Sequence, residues 1–329
     1  MRVVLTVGLT AWAGCGADPC PAGLTPAGPW STCCHEGQSG GLLGGCRGVP
    51  TACPAGWSLE DAACTRDDLP PFRLVRVEPG SFTMGCLPER DGPDRPCMDN
   101  APFDVTLTRP VYVMAHEVQQ GLYAALMGTN PSRLPTSPEH PVDSVSWLDA
   151  VRFANALSAW EGLVPAYAID GTTVRWDREA PGYRLLTEAE WEHAARAGDE
   201  APFAGGFEAD RVAVSERTQR GGPSAVGSLA PNPWGLYDLS GNLWEWTWSG
   251  WWTFPTDPAT DPEGADEAEQ RVVKGGGWSG MPDGLYLSSR GFIPAEFSDV
   301  ILGFRVGRTA REDGPAVVEP AGAWTPAGP

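Results

Sequence analysis

The sequence holds a single lysine, Lys274, and no cysteine beyond Cys97. Its formal net charge is −19, and no basic patch interrupts the acidic excess. Binding a phosphate backbone needs clustered Lys and Arg, so nucleic acid is excluded as a partner. Histidine is scarce too, with four in 329 residues. His116, His140 and His193 form no H-x-x-x-H pair, and His35 stands among early cysteines that contain no C-x-x-C. That spacing argues against zinc. No apolar run reaches the roughly 20 residues a mature membrane-spanning helix needs. Glycine and proline, at 41 and 33 residues, predict many turns and long loops.

What is present begins with Met1-Arg2 and the mostly apolar run Val3 to Ala13, the order of a signal peptide. The run ends in Trp12-Ala13-Gly14-Cys15, similar to the lipidation site of bacterial lipoproteins. Residues 1–15 are read as signal and lipoprotein site, with Cys15 as the acylated residue and ordinary secretion as the alternative. The protein is then expected in the cell envelope or outside the cell, touching membrane only through that anchor. Nine cysteines less Cys15 leave Cys20, Cys33, Cys34, Cys46, Cys53, Cys64, Cys86 and Cys97. An even set crowded into the first hundred residues fits up to four disulfides in an oxidising compartment, with connectivity open. Cys86 and Cys97 bracket a polar loop they can staple. Residues 16–70 read as a Cys-, Gly- and Pro-rich stalk, and 310–329, with few apolar anchors, as a disordered tail.

Between them lies patterned sequence. Phe72–Val77 and Ser81–Met84 flank Pro79-Gly80 as strand, turn and strand, and Asp104–Thr108 and Val111–Met114 read as two more strands. Ser146 and Asp149 form a capping box ahead of Trp147, Ala150, Val151, Ala154 and Leu157 at helical spacing, with Gly162 as the stop. Thr187 and Glu190 open a second helix that ends at Gly198, and a shorter one is expected from about Gln119 to Met127. Six of the fifteen tryptophans (Trp234, Trp244, Trp246, Trp248, Trp251, Trp252) fall within nineteen residues. They read as a packed core with satisfied indole N–H groups.

Pro233-Trp234-Gly235-Leu236-Tyr237-Asp238-Leu239-Ser240-Gly241-Asn242-Leu243-Trp244-Glu245-Trp246 is followed by Arg271 to Trp278 and closed by Gly303-Phe304-Arg305. Earlier blocks fall in the same order: Val77–Gly85, Glu117-Val118, Asn130-Pro131-Ser132, His140-Pro141-Val142, Val145-Ser146-Trp147 and Tyr183–Glu192. Together they resemble the formylglycine-generating enzyme (sulfatase-modifying factor) superfamily over residues 71–309. The resemblance implies an α+β, loop-rich variant of the C-type lectin-like fold.

It also implies which residues would act. The two cysteine positions of sulfatase-activating members fall on Gly280 and Leu285, so no catalytic cysteine pair is expected. Soft thiolates select Cu(I), and copper is not expected without them. Iron, as in non-haem relatives, is not expected either, since histidine ligands are scarce. Calcium is expected as a structural ion on Asp238, Gly241, Leu243 and Glu245, hard oxygen donors from two carboxylates and two carbonyls. The alternative is that Asp238 and Glu245 cap helices or pair with arginine. Trp278, Ser279, Met281, Asp283 and Arg290 outline a cleft for a peptide, protein or glycan. The function expected is an exported binding or scaffold module, a pseudoenzyme. The alternative is a metal-dependent oxidoreductase of altered chemistry.

Overall fold

A computed structural model describes short strands within residues 24–66 and residues 69–326, apart from 93–96, 98–99, 135–136, 219–220, 266–267, 281, 312 and 322–323. Two compact units are present, Met1–Leu69 and Pro70–Pro329. Within the first, three two-stranded antiparallel ladders pair Leu24–Pro26 with Cys33–His35, Ser39–Gly40 with Cys46–Arg47, and Trp57–Glu60 with Ala63–Arg66. Cys15, Cys20 and Cys53 lie outside the described residues, and Cys33, Cys34, Cys46 and Cys64 are described only as strand backbone. Cys86 and Cys97 are joined in a disulfide, with Cα atoms 5.4 Å apart.

The second unit is mixed α and β. Both capping boxes form. Ser146 Oγ accepts from Asp149 N and heads the Trp147–Glu161 helix, which Gly162 ends in the left-handed region at φ 74°. Thr187 does the same for Glu188–Arg196, where Ala197 rather than Gly198 takes the left-handed cap at φ 51°. The shorter helix spans Gln120–Met127.

The strands form where alternation predicts them, but neighbours in sequence part company. Leu74–Val77 pairs with Val111–Met114, whereas Gly80–Met84 pairs with Phe103–Leu107 in a different sheet. The expected strand–turn–strand around Pro79 is therefore a crossover between sheets and not a hairpin. Val75, Val77, Val111 and Val113 turn one face of their sheet onto Trp191, Ala194 and Ala195 of the Glu188–Arg196 helix. A second four-stranded sheet, ordered Gly291–Pro294, Gln270–Lys274, Trp244–Gly250 and Leu302–Gly303, carries the tryptophan run. Trp246 is buried and its indole donates to Val145 O at 2.9 Å, which is core behaviour.

Within residues 310–329, expected as a disordered tail, the described residues make strand and core contacts. Val317–Val318 adds antiparallel to Val75 and Leu74 at a sheet edge. Glu319 pairs with Arg73 at 2.9 Å, and Trp324 is 3% exposed against His116, Tyr237 and the edge of the main core. One large aromatic and a two-residue ladder fix a segment whose composition is otherwise that of a linker.

Candidate functional site

The Asp238–Trp246 segment has three residues with positive φ, Asp238 at 59°, Gly241 at 86° and Asn242 at 61°, and folds back on itself at the last two. Gly241 is required there, since a Cβ would stand 2.1 Å from Val214 O. Asn242 tolerates the left-handed region and becomes the hub of the site. Its N–H donates to Val214 O at 2.8 Å, its Oδ1 accepts from Ser224 N at 2.9 Å, and its carbonyl accepts from Trp278 N at 2.8 Å. Its Nδ2 donates to Glu117 Oε2 at 2.6 Å, while Leu243 N donates to Glu117 Oε1 at 3.0 Å. One buried amide thus ties two loops, 213–224 and 276–285, to a buried carboxylate.

Those two loops enclose a cavity of about 550 Å³. One wall is Trp278, Ser279, Gly280, Pro282 and Leu285; the other carries Asp210, Ser215, Glu216 and Arg217. Gly276 lets the chain double back, because a Cβ there would meet Gly284 O at 2.7 Å. Gly280 sits in a turn closed by its N–H on Gly277 O at 3.0 Å. Leu285 is buried with Phe203, Val212 and Ala213 and forms an apolar floor. On the rim Arg217 pairs with Asp210 at 2.9 Å, both largely exposed. Among the described residues, the lining has no thiol and no histidine, and it offers apolar contact with two serine hydroxyls and a polar mouth.

Trp278 and Ser279 of the expected cleft line this cavity together with Gly280 and Leu285. Asp283 is exposed beside them, and Met281 lies outside the described residues. Arg290 does not join them. Its guanidinium lies 4.1 Å from the Trp251 ring centroid and 4.0 Å from that of Phe254, and bonds Glu188 at 2.7 Å. With its side chain 3% exposed, it is a core ion pair. Asn242 and Glu117 escaped the sequence reading as site organisers. The Gly-Asn pair, a frequent left-handed step, was the local signal for the first.

Beneath the cavity Glu117, Asp238 and Glu245 are buried around Arg305. Both Glu245 oxygens are taken, Oε1 by Arg305 Nη2 at 2.6 Å and Oε2 by Arg305 Nε and the Trp191 indole, each at 2.7 Å. Glu245 thus makes the arginine pairing named as the alternative for it. Asp238 accepts from Gly227 N at 2.7 Å, and burial raises its carboxyl to about 6. Burial, with Asp238 and Glu245 adding to it, also pushes Glu117 well above the usual carboxylate range. Gly241 and Leu243 serve this cluster through backbone geometry.

Comparison with known proteins agrees with this architecture. The chain is 32% identical over 271 residues to "Chaperone protein LppX" of Paenibacillus barcinonensis, covering 72% of this chain and 89% of that one. It is 36% identical over 165 residues to the formylglycine-generating enzyme of Thermomonospora curvata, covering 44% of this chain and only 46% of the enzyme. Among solved structures, Treponema denticola variable protein 1 superposes with a TM-score of 0.67 at 27% identity, covering 73% of this chain and 95% of that one. Residues 62–310 match the sulfatase-modifying factor enzyme 1-like domain, and the chain belongs to that family.

Proposed function

We propose that this domain is a binding module that holds a protein partner in the Trp278–Leu285 cavity and does not oxidise cysteine. The observation that carries the reading is the cavity wall itself. Gly280 and Leu285 stand where the family resemblance places two thiols, and the sequence has no cysteine after Cys97 to replace them. Cu(I) selects soft thiolate ligands, and an attacking thiolate is needed to engage a substrate sulfur. The residues lining this cavity supply neither. An apolar floor beneath a polar rim suits a side chain of a partner polypeptide. A relative named as a chaperone that aligns over most of its length supports a protein as that partner. The lectin-like framework implied by the sequence accommodates variable loops around such a cleft. Export, and anchoring through Cys15, would place the module in the cell envelope.

The test is suppression of aggregation. A chemically denatured secreted hydrolase is diluted into buffer with and without the full chain, and light scattering is followed. The wild type is expected to delay scattering at stoichiometric ratios. Ser279→Trp, which fills the mouth from an exposed position, is expected to lose that effect while remaining folded. Equal protection by both proteins, or by neither, would overturn the assignment of the cavity.

A further inference from the structure

The Glu188–Arg196 helix and the disulfide-closed loop meet over a second charged cluster, away from the cavity. Glu192 is fully buried. Its Oε1 accepts from Arg196 Nη2 at 2.6 Å and from Gly85 N at 2.9 Å, and its Oε2 accepts from Lys274 Nζ at 2.9 Å. Arg90 enters from the Pro88–Asp91 helix inside the Cys86–Cys97 loop, its side chain 3% exposed. It donates through Nη1 to Thr83 O at 3.2 Å and through Nη2 to Gly85 O. Arg196 Nη2 donates to the same Gly85 O at 3.3 Å. One carbonyl oxygen thus holds two buried guanidiniums side by side.

That arrangement leaves charge and donors uncompensated. Among the described residues, Arg90, Arg196 and Lys274 are buried cations facing the buried carboxylates Glu192 and Asp91, the latter 3.7 Å from Arg90, and the nearby buried Glu188 is matched by its own partner Arg290. Glu200 reaches Arg90 only at 3.8 Å and is 82% exposed on its side chain, so water screens it. Arg90 Nε and Arg196 Nη1 are sealed from solvent with no protein partner among the described residues. Arginine does not shed its proton, and a buried unpaired guanidinium donor carries a steep desolvation cost. A neutral Lys274 would balance the charge yet leave both donors orphaned.

We propose that a single monatomic anion of the halide class binds between the guanidiniums of Arg90 and Arg196, pinning the disulfide loop to the helix. An anion meets both deficits at once, accepting from the two free N–H groups and supplying the missing negative charge. A water molecule would meet only the first. Both nitrogens are closed to solvent, which favours a small anion that gives up its hydration readily.

Two measurements on the full chain decide it. Crystals soaked in sodium bromide are expected to show an anomalous peak within hydrogen-bond reach of Arg90 Nε and Arg196 Nη1. Thermal unfolding is expected to rise in Tm with the logarithm of chloride concentration, as for any ligand of the folded state, but not with gluconate at equal ionic strength. Arg90→Met is expected to abolish the difference between the two salts. No anomalous peak at that position, water there in place of bromide, or a peak without chloride-specific stabilisation (an adventitious ion only) would overturn the proposal. The wild-type measurements stand even if the variant fails to fold.

Discussion

Glu245 and Arg305 show how much rests on single buried groups. Arg305 is 1% exposed and Glu245 is fully buried, so removing one partner leaves the other charged in a low-dielectric interior. Glu245→Gln is expected to cost about 3–5 kcal/mol in urea denaturation. Calcium and a chelator should leave the wild-type midpoint unchanged. A midpoint that rises with calcium, and loses that rise in Glu245→Gln, would restore the carboxylate as a ligand. His116 makes a second residue-scale prediction. It is fully buried against Trp324, its ring centroid 4.3 Å away, and burial pushes it down to about 3. The unfolded chain takes up that proton near pH 6.5 and the folded chain only near 3. This contribution to stability is therefore complete above 6.5 and is lost as pH falls toward 3. His116→Phe should flatten that part of the stability curve. A slope unchanged by the substitution would mean the imidazole is not the group responsible.

At the scale of elements, the C-terminal segment makes the clearest prediction. Val317–Val318 covers one edge of a four-stranded sheet, and Trp324 closes the core beside it. Trp324→Ala should cost about 3–5 kcal/mol, as for other large core aromatics, and lower Tm accordingly. An effect within about 0.5 kcal/mol would place the tail among dispensable surface segments. The same segment marks a limit of reading from sequence. Both capped helices were legible because the signal is local: Ser146 with Asp149 and Thr187 with Glu190 sit three residues apart and bond each other. Strand existence was legible from alternation, but partners were not. The ladder joining Leu74 to Val318 spans most of the chain, and no local pattern encodes it. Trp324 was missed for a related reason, since one tryptophan among Pro, Ala and Gly becomes an anchor only once its socket exists.

Across the whole molecule, the family fold carries the Trp278–Leu285 cavity on glycine-rich loops. Trp278, Gly280 and Leu285 line one cavity, because the glycines that follow the Gln270–Lys274 strand are fixed by close backbone approaches. Arg290 came from the same stretch of sequence yet turns into an aromatic sandwich, since side-chain direction is set by packing across sheets. The hub Asn242 joins the cavity loops to Glu117, so disturbing it should loosen both walls together. Asn242→Ala is expected to raise amide exchange across 213–224 and 276–285 at once. Faster exchange in one loop alone would show that the walls are held independently.

The proposed role, binding without oxidation, separates this domain from a cysteine-oxidising enzyme. The most direct test incubates the full chain with a sulfatase-type cysteine peptide, copper and oxygen, and follows the peptide by mass spectrometry, with an active formylglycine-generating enzyme as control. The control is expected to convert its cysteine to the aldehyde while this protein leaves the peptide mass unchanged. Catalytic conversion by this protein would contradict it, and would mean that oxidation proceeds on a site built without Gly280 and Leu285 as cysteines.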